Sequence, residues 1–250
     1  MRLTILGSGT NMHPHRAAAG YLIETDHPFL MDLGPRTLAN LLKTRVDRHR
    51  ITYLLFSHFH ADHFSDFITF YFDAVIYSKL VRRRPDLTLI GPRGSRKLFR
   101  TILRTFPVFN EAPFRTSIEE VGDESFSIGG TRITARSVRH TSRLHCLGYH
   151  VSHRGRTMAY SGDSTYCEAL VSLCDHADVA VLDCSYPSNR PGPAHMHAGE
   201  CGQVAHRAQV GRLLLSHFYG DAERFDVKRQ AARAFSGRIA RARDLMTLRW

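Results

Sequence analysis

Short apolar and β-branched runs recur along the chain, each closed by a turn signal and most followed by a stretch of helical periodicity. Residues 3–6, 21–24 and 29–32 read as strands near the N-terminus, 36–44 as a helix, and 52–56 as a buried strand. Residues 65–80 form an aromatic helix in which Phe67, Phe70 and Tyr71 share one face, which predicts a core or dimer surface. A strand at 87–90 and a helix at 95–105 with its basic residues toward solvent come next. Residues 118–138 lack helical period and carry Gly129-Gly130, the signature of a strand pair. Strands at 148–152, 157–160, 179–182, 213–215 and 238–242 alternate with helices at 165–174, 198–208 and 224–234. Strand pairs at the front and middle, with strand–helix alternation between and after, specify an α/β protein with mixed sheets and outer helices.

Composition narrows this picture in three ways. With 250 residues, 43% of them hydrophobic, the chain can bury a sizeable core, which excludes disorder as the main reading. No apolar run approaches the ~20 residues needed to cross a bilayer, and the N-terminal run is too short for a signal peptide, so the expectation is a soluble, cytoplasmic protein. Five cysteines (Cys146, Cys167, Cys174, Cys184 and Cys201) without a C-x-x-C pair read as reduced and mostly buried. The net charge of +11 favours anionic partners, although a generally basic, solubilising surface accounts for it equally. Sixteen histidines are the more telling excess, because histidine is the commonest metal ligand.

The histidines concentrate where chemistry would need them. Directly after the strand ending at Phe56 comes Ser57-His58-Phe59-His60-Ala61-Asp62-His63, with four metal-capable side chains within six residues. In an extended segment His58 and His60 point the same way and can grip one ion. If a helix follows, Asp62 and His63 leave its first turn and can hold a second ion beside the first.

The string His58-x-His60-x-Asp62-His63 resembles the signature of the metallo-β-lactamase superfamily. Further candidate ligands follow at strand ends in the order that family uses: His140 after Ser137-Val138-Arg139, Asp163 in Tyr160-Ser161-Gly162-Asp163-Ser164, and His217 in Leu214-Leu215-Ser216-His217-Phe218. The resemblance implies that His58, His60 and His140 hold one metal, that Asp62, His63 and His217 hold the other, and that Asp163 bridges. Two divalent ions are implied, zinc by default, with manganese or iron fitting the same donors. A hydroxide shared by ions about 3.5–4 Å apart would then hydrolyse substrate without a protein nucleophile. Ser57 and Ser216 accordingly read as turn or supporting residues, since no independent Ser-His-Asp arrangement is visible.

Within the superfamily the chain resembles the ribonuclease Z and small phosphodiesterase branch, through Leu6-Gly7-Ser8-Gly9-Thr10 with Arg16, Ile90-Gly91-Pro92-Arg93-Gly94, and the long gap from His63 to His140. Ala194-His195-Met196-His197-Ala198 resembles that branch's histidine-bearing segment, with His195 in the matching position. Val181-Leu182-Asp183-Cys184-Ser185 resembles its acidic strand end, with Asp183 where glutamate is usual. The implied roles are orientation of His195 by Asp183 and proton donation by His195 to the leaving oxygen, with His197 the competing donor and Asp62 counted among the catalytic residues.

The implied fold is a four-layer αβ/βα sandwich, two mixed sheets with helices on the outer faces, spanning 1–250 as a single domain, with a homodimer compatible. The leading function is metal-dependent hydrolysis of a phosphodiester or other anionic small molecule. The alternatives are a carboxylic ester, lactone or thioester hydrolase on the same dinuclear site, and a nucleic-acid-binding member of the fold with incidental catalysis. No segment like the transfer-RNA-clasping arm of ribonuclease Z follows His140 or lies between Asp163 and Asp183, which weakens transfer RNA as substrate. Val81-Arg82-Arg83-Arg84-Pro85 and the arginines at 224, 229, 233, 238, 241 and 243 could meet a nucleic-acid backbone, although solvated charge is the simpler reading. His13 and His15 are expected beside the site, and His150 and His153 on the surface.

Overall fold

The chain lays down a sheet, changes sides, and lays down another. In this computed structural model, which describes residues 1–82 and 84–250, β1 (Arg2–Gly7), β2 (Gly20–Glu24) and β3 (Phe29–Leu33) make an antiparallel meander. α1 (Thr37–Leu41) leads to β4 (Tyr53–Leu55), α2 (Ala61–Phe64) and α3 (Asp66–Leu80) lead to β5 (Leu87–Gly91), and α4 (Ser95–Thr105) leads to β6 (Thr116–Glu120). From β3 to β6 these strands lie parallel.

The second half repeats the plan. β7 (Ser125–Ile128), β8 (Thr131–Ser137), β9 (Leu147–His153) and β10 (Arg156–Tyr160) are antiparallel. α5 (Glu168–Leu173), β11 (Val179–Asp183), α6 (Ala198–Arg207), β12 (Arg212–Ser216), α7 (Val227–Ala231) and β13 (Arg238–Arg241) then continue β10 in parallel. Finally β14 (Thr247–Arg249) returns to pair with β1. The sheet orders are β14-β1-β2-β3-β4-β5-β6 and β13-β12-β11-β10-β9-β8-β7.

Period-two alternation explains the layering. Leu3, Ile5, Tyr21, Phe29 and Met31 face Tyr149, Val151, Met158, Tyr160 and Val181 across the space between the sheets. The alternate residues Leu22, Leu30 and Leu54 meet Phe67, Phe70, Tyr71 and Val75 of α3 on the outside of the first sheet. On the second sheet Ala180, Leu182, Leu213 and Leu215 turn outward against Leu170, Cys201, Val204 and Ala231 of α5, α6 and α7. Strands buried on both faces read as unbroken apolar runs, and each such side chain contributes roughly 1.5–3 kcal/mol. The result is the four-layer sandwich with outer helices, and the aromatic face of α3 belongs to its core.

Two expectations need correction, and two strands were not expected. The strand pair expected over 118–138 forms around Gly129-Gly130 as β7 and β8 of the second sheet, whereas β6, where that stretch begins, is an unexpected exposed edge strand of the first. The helix expected over 224–234 is a 3-10 turn (Gly220–Arg224) followed by the short α7, because Asp226 accepts from the Arg229 amide and starts the helix afresh. The strand β14 lies in a segment too short and polar to have been recognised. His153 is buried rather than on the surface, held by Thr131 Oγ1 at 3.0 Å. Of the basic stretch after α3, Arg83 lies outside the described residues. Among those residues no helix is long and apolar enough to cross a membrane.

Candidate metal centre

The parallel strands of both sheets deliver polar residues at their carboxyl ends, and these meet at one edge of the sandwich. Past β4 the chain bends at Ser57 and is extended at His60 (φ −69°, ψ 150°), and the His58 and His60 rings lie with centroids 4.7 Å apart. The turn into α2 then presents Asp62 and His63. β8 leads to His140, β10 to Asp163, β11 to Asp183 and β12 to His217. Three residues here hold positive φ without being glycine (Asp32 at 56°, Ala194 at 65°, His217 at 62°), a backbone strain that the surrounding packing sustains.

Asp163 organises the cluster. Its Oδ2 faces His58 Nε2 at 3.7 Å and His140 Nε2 at 3.8 Å, while its Oδ1 faces His63 Nε2 at 3.0 Å and His217 Nε2 at 3.3 Å. His60 Nδ1 stands 3.1 Å from His140 Nε2, and Asp62 Oδ2 stands 3.4 Å from His217 Nε2. Three overlapping donor groups result: His58, His60, His140 and Asp163; Asp62, His63 and His217; and Asp163, Asp183, His195 and His217, in which Asp183 and His195 also pair with each other.

Four of the five ligand rings are also held from behind. His63 Nδ1 is 2.8 Å from Asp32 Oδ2, His140 Nδ1 is 2.7 Å from the Ala194 carbonyl, His58 Nδ1 is 3.0 Å from Ser57 Oγ, and His217 Nδ1 is 3.1 Å from Ser185 Oγ. Such partners fix the tautomer and leave the inward nitrogen bare.

The donor set fits divalent cations. His58 Nε2 and Asp163 Oδ1 are buried with no hydrogen-bond partner, and the 3.1 Å approach of His63 Nε2 to His217 Nε2 sets two imidazole nitrogens face to face. Neutral imidazoles with carboxylates and no thiolate suit zinc, manganese or iron. Without a cation, protons carry the charge. Burial opposes protonation of His63, but Asp163 and Asp32 outweigh it and push its pKa up to about 10. Burial likewise opposes the charged form of His217, and Asp163 and Asp183 still raise it well above the ordinary histidine value. Asp163 stays well below the usual carboxylate range because, against burial, His217 and His63 hold its anion. His58 is shifted well down, by burial first and by His63 second.

Asp183 and His195 sit beside this cluster. Asp183 Oδ2 lies 2.8 Å from His195 Nδ1, and its carboxylate also accepts from the backbone amides of Ser164 and Ser185 and from Ser185 Oγ. Burial works against a charged His195, and Asp183 more than offsets it, so the ring's pKa is raised. His197 is turned elsewhere: its Nδ1 accepts from the amides of Gly199 and Glu200 and caps α6. His13 is also outside the donor cluster, bracing its own loop by accepting from the amides of His15 and Arg16.

Two residue sets escaped the sequence reading. Asp32 accepts from the Ser57 amide, Ser57 Oγ and Tyr160 OH, besides facing His63. Its signal was a lone carboxylate closing the apolar run Phe29-Leu30-Met31. Tyr186 and Tyr219, stacked at 5.6 Å, flank His195 edge-on at 6.0 and 5.9 Å. They border a cleft of about 350 Å3, and another of about 770 Å3, lined by Arg139, Thr141, Ser142 and Tyr166, opens beyond His140. Of the C-terminal arginines, Arg241 pairs with Glu223, and Arg224 lies 3.6 Å from Asp221.

Comparison with known proteins agrees with this architecture. The model of the beta-lactamase superfamily domain matches residues 27–218, which include all seven candidate ligands. YhfI of Bacillus subtilis, named a probable metallo-hydrolase, is 24% identical over 246 residues, covering 96% of both chains. Its crystal structure superposes with a TM-score of 0.86, at 23% identity, over 99% of this chain and 98% of that one. The short form of human tRNase Z gives 0.79 at 21% identity over 100% and 99%. A diphosphatase of the PhnP family gives 0.77 at 18% over 100% and 97%. Family match, sandwich and donor cluster thus converge: the chain belongs to the metallo-β-lactamase superfamily and has the fold of its metal-dependent hydrolases.

Proposed function

We propose that this protein hydrolyses a small phosphodiester at a centre of two divalent cations, with His195 as proton donor and Asp183 as the residue that positions it. The observation carrying the reading is the division of donors by Asp163, whose two oxygens face separate histidine pairs. One carboxylate turned toward two donor sets suits two cations side by side. When bound, such cations, zinc by preference, supply Lewis acidity at the attacked centre and a water of lowered pKa.

The chain's own residues do the rest. Asp32, Ser57, Ser185 and the Ala194 carbonyl keep the ligand rings in register, so that no reorganisation is needed during reaction. Asp183 holds His195 Nδ1 and leaves Nε2 to deliver a proton to the departing oxygen. His195 stands between His140, at 4.8 Å between centroids, and the Tyr186–Tyr219 pair. The two arms of a diester would therefore run into the two flanking clefts: one arm meets Arg139, Thr141 and Ser142, the other a wall of phenol rings. A guanidinium and two hydroxyls complement a phosphate ester better than an acyl chain. The relatives named as a tRNase Z and a diphosphatase point the same way.

The test is a parallel assay of the metal-loaded protein on bis(4-nitrophenyl) phosphate and on 4-nitrophenyl acetate and an aliphatic lactone. The phosphodiester is expected to be turned over with the higher kcat/KM, with about two metal ions per chain by elemental analysis. A clear preference for the acyl series overturns the phosphodiester reading, and a single ion at full activity overturns the dinuclear one.

A further inference from the structure

Another cavity, of about 620 Å3, lies at the amino ends of β4 and β5, with Asp47, His49, Arg50, Tyr77, Arg82 and Arg84 among its lining. It is remote from the metal centre. Ile51 and His58 bracket β4, and seven residues of extended chain span on the order of 20 Å.

The anomaly there is Arg84, which is only 3% exposed. Its guanidinium lies over the rings of Phe70 and Phe114, 5.6 and 5.2 Å from their centroids, and its Nη2 donates to the Ile51 carbonyl. Nε and Nη1 are buried and donate to nothing. Among the described residues no carboxylate forms an ion pair with it, and the nearby acids are engaged elsewhere. Asp73 takes two hydrogen bonds from Arg48, each 2.8 Å, and Asp47 accepts from the His49 amide at 3.0 Å. Burial pulls the Arg84 pKa down to about 10, which leaves it charged at neutral pH. An unpaired buried cation with two idle donors is destabilising unless something completes it.

The surroundings indicate what would. Arg50 and Arg82 bring further positive charge to the cavity. His49 and Tyr77 stack at 3.5 Å and 8° and make one wall flat. A guanidinium presents forked donors that match a tetrahedral oxyanion, and Arg is the side chain that keeps its charge in such a setting. We propose that this cavity is an anion site, separate from the catalytic centre, that takes a small phosphate-bearing ligand with Arg84 as its buried anchor and Arg50 and Arg82 beside it.

Inorganic phosphate is the probe, titrated calorimetrically into the metal-loaded protein and into Arg82→Ala, Arg84→Met and Asp163→Asn, with melting temperatures in parallel. Asp163→Asn is expected to keep the phosphate isotherm of the Arg84 cavity and to lose only phosphate held at the metal centre, whereas Arg82→Ala and Arg84→Met bind at that cavity at least about tenfold more weakly. Arg84→Met keeps an unbranched side chain between Phe70 and Phe114, so in phosphate-free buffer it should melt no lower than wild type, whereas an arginine needed only for the Ile51 bond would leave a less stable variant. Adenosine 5′-monophosphate distinguishes the ligand's source: tighter binding than inorganic phosphate, lost in Arg84→Met, makes it a nucleotide, and equal binding makes it phosphate itself. The proposal falls if phosphate does not bind, if Asp163→Asn abolishes binding while Arg82→Ala keeps it, or if Arg84→Met melts lower in phosphate-free buffer.

Discussion

The proton donor proposed above has to be charged when it is needed, and the contact with Asp183 favours the charged form of His195. The Asp183 carboxylate, 2.8 Å from its Nδ1, raises its pKa over the opposing effect of burial. The acid form is therefore complete below the ordinary histidine value and is lost as pH rises through the higher folded value, which puts a falling alkaline limb on kcat. Asp183→Asn should move that limb to lower pH, and His195→Ala should remove it while leaving metal content intact. The rate loss should approach about 10²–10⁴-fold for an alkyl leaving group, and stay small for 4-nitrophenolate, which departs without a proton. Equal losses on both leaving groups would argue against His195 as the acid. At this scale the sequence was readable wherever packing could not explain the residue type: four polar ligand candidates crowded into six positions at the end of a buried strand have no core role. Asp32 was not readable, because one carboxylate closing an apolar strand looks like any strand end until the fold brings Ser57, His63 and Tyr160 to it.

Elements deliver these residues, and their endings matter more than their interiors. The turn after β10 shows why. Gly162 has φ 56°, and a Cβ there would lie 2.6 Å from the Leu147 carbonyl oxygen and 2.9 Å from Ser57 Cβ, so any side chain must push Asp163 or its neighbours aside. Gly162→Ala should cost about 1–3 kcal/mol in a urea titration and also lower bound metal. Gly155 has φ 71° but opens on empty space. Gly155→Ala should therefore show a comparable backbone cost with full metal content, and loss of metal in both would mean that general destabilisation, not placement of Asp163, is responsible. Strand interiors were legible because burial on both faces demands continuous apolar runs. β6 was harder, since an edge strand with one face in water carries no such run, and its transfer to the other sheet is a tertiary choice that local pattern does not encode.

At the scale of the whole molecule, the two halves share one plan, antiparallel strands followed by parallel ones, although no repeat is visible in the sequence. What the halves share is a direction for their strand ends, so each supplies part of one cluster, and a cation bound there would tie them together. Metal should therefore stabilise the entire fold by mass action. The pH dependence has a definite sign. In the cation-free protein His63 has its pKa raised to about 10, so its bound proton contributes stability that is fully present below the ordinary value near 6.5 and disappears as pH climbs through about 10. A cation takes the place of that proton, so the loaded protein has no such contribution to lose. The difference in melting temperature between loaded and chelator-treated protein should therefore widen from pH 6.5 toward 10, and loading should release protons into weakly buffered solution. Asp163→Ala, deprived of the shared carboxylate, should melt at one temperature with or without chelator. A gap that narrows with rising pH, or a chelator effect that survives in Asp163→Ala, would mean that metal is held somewhere other than between the two sheets.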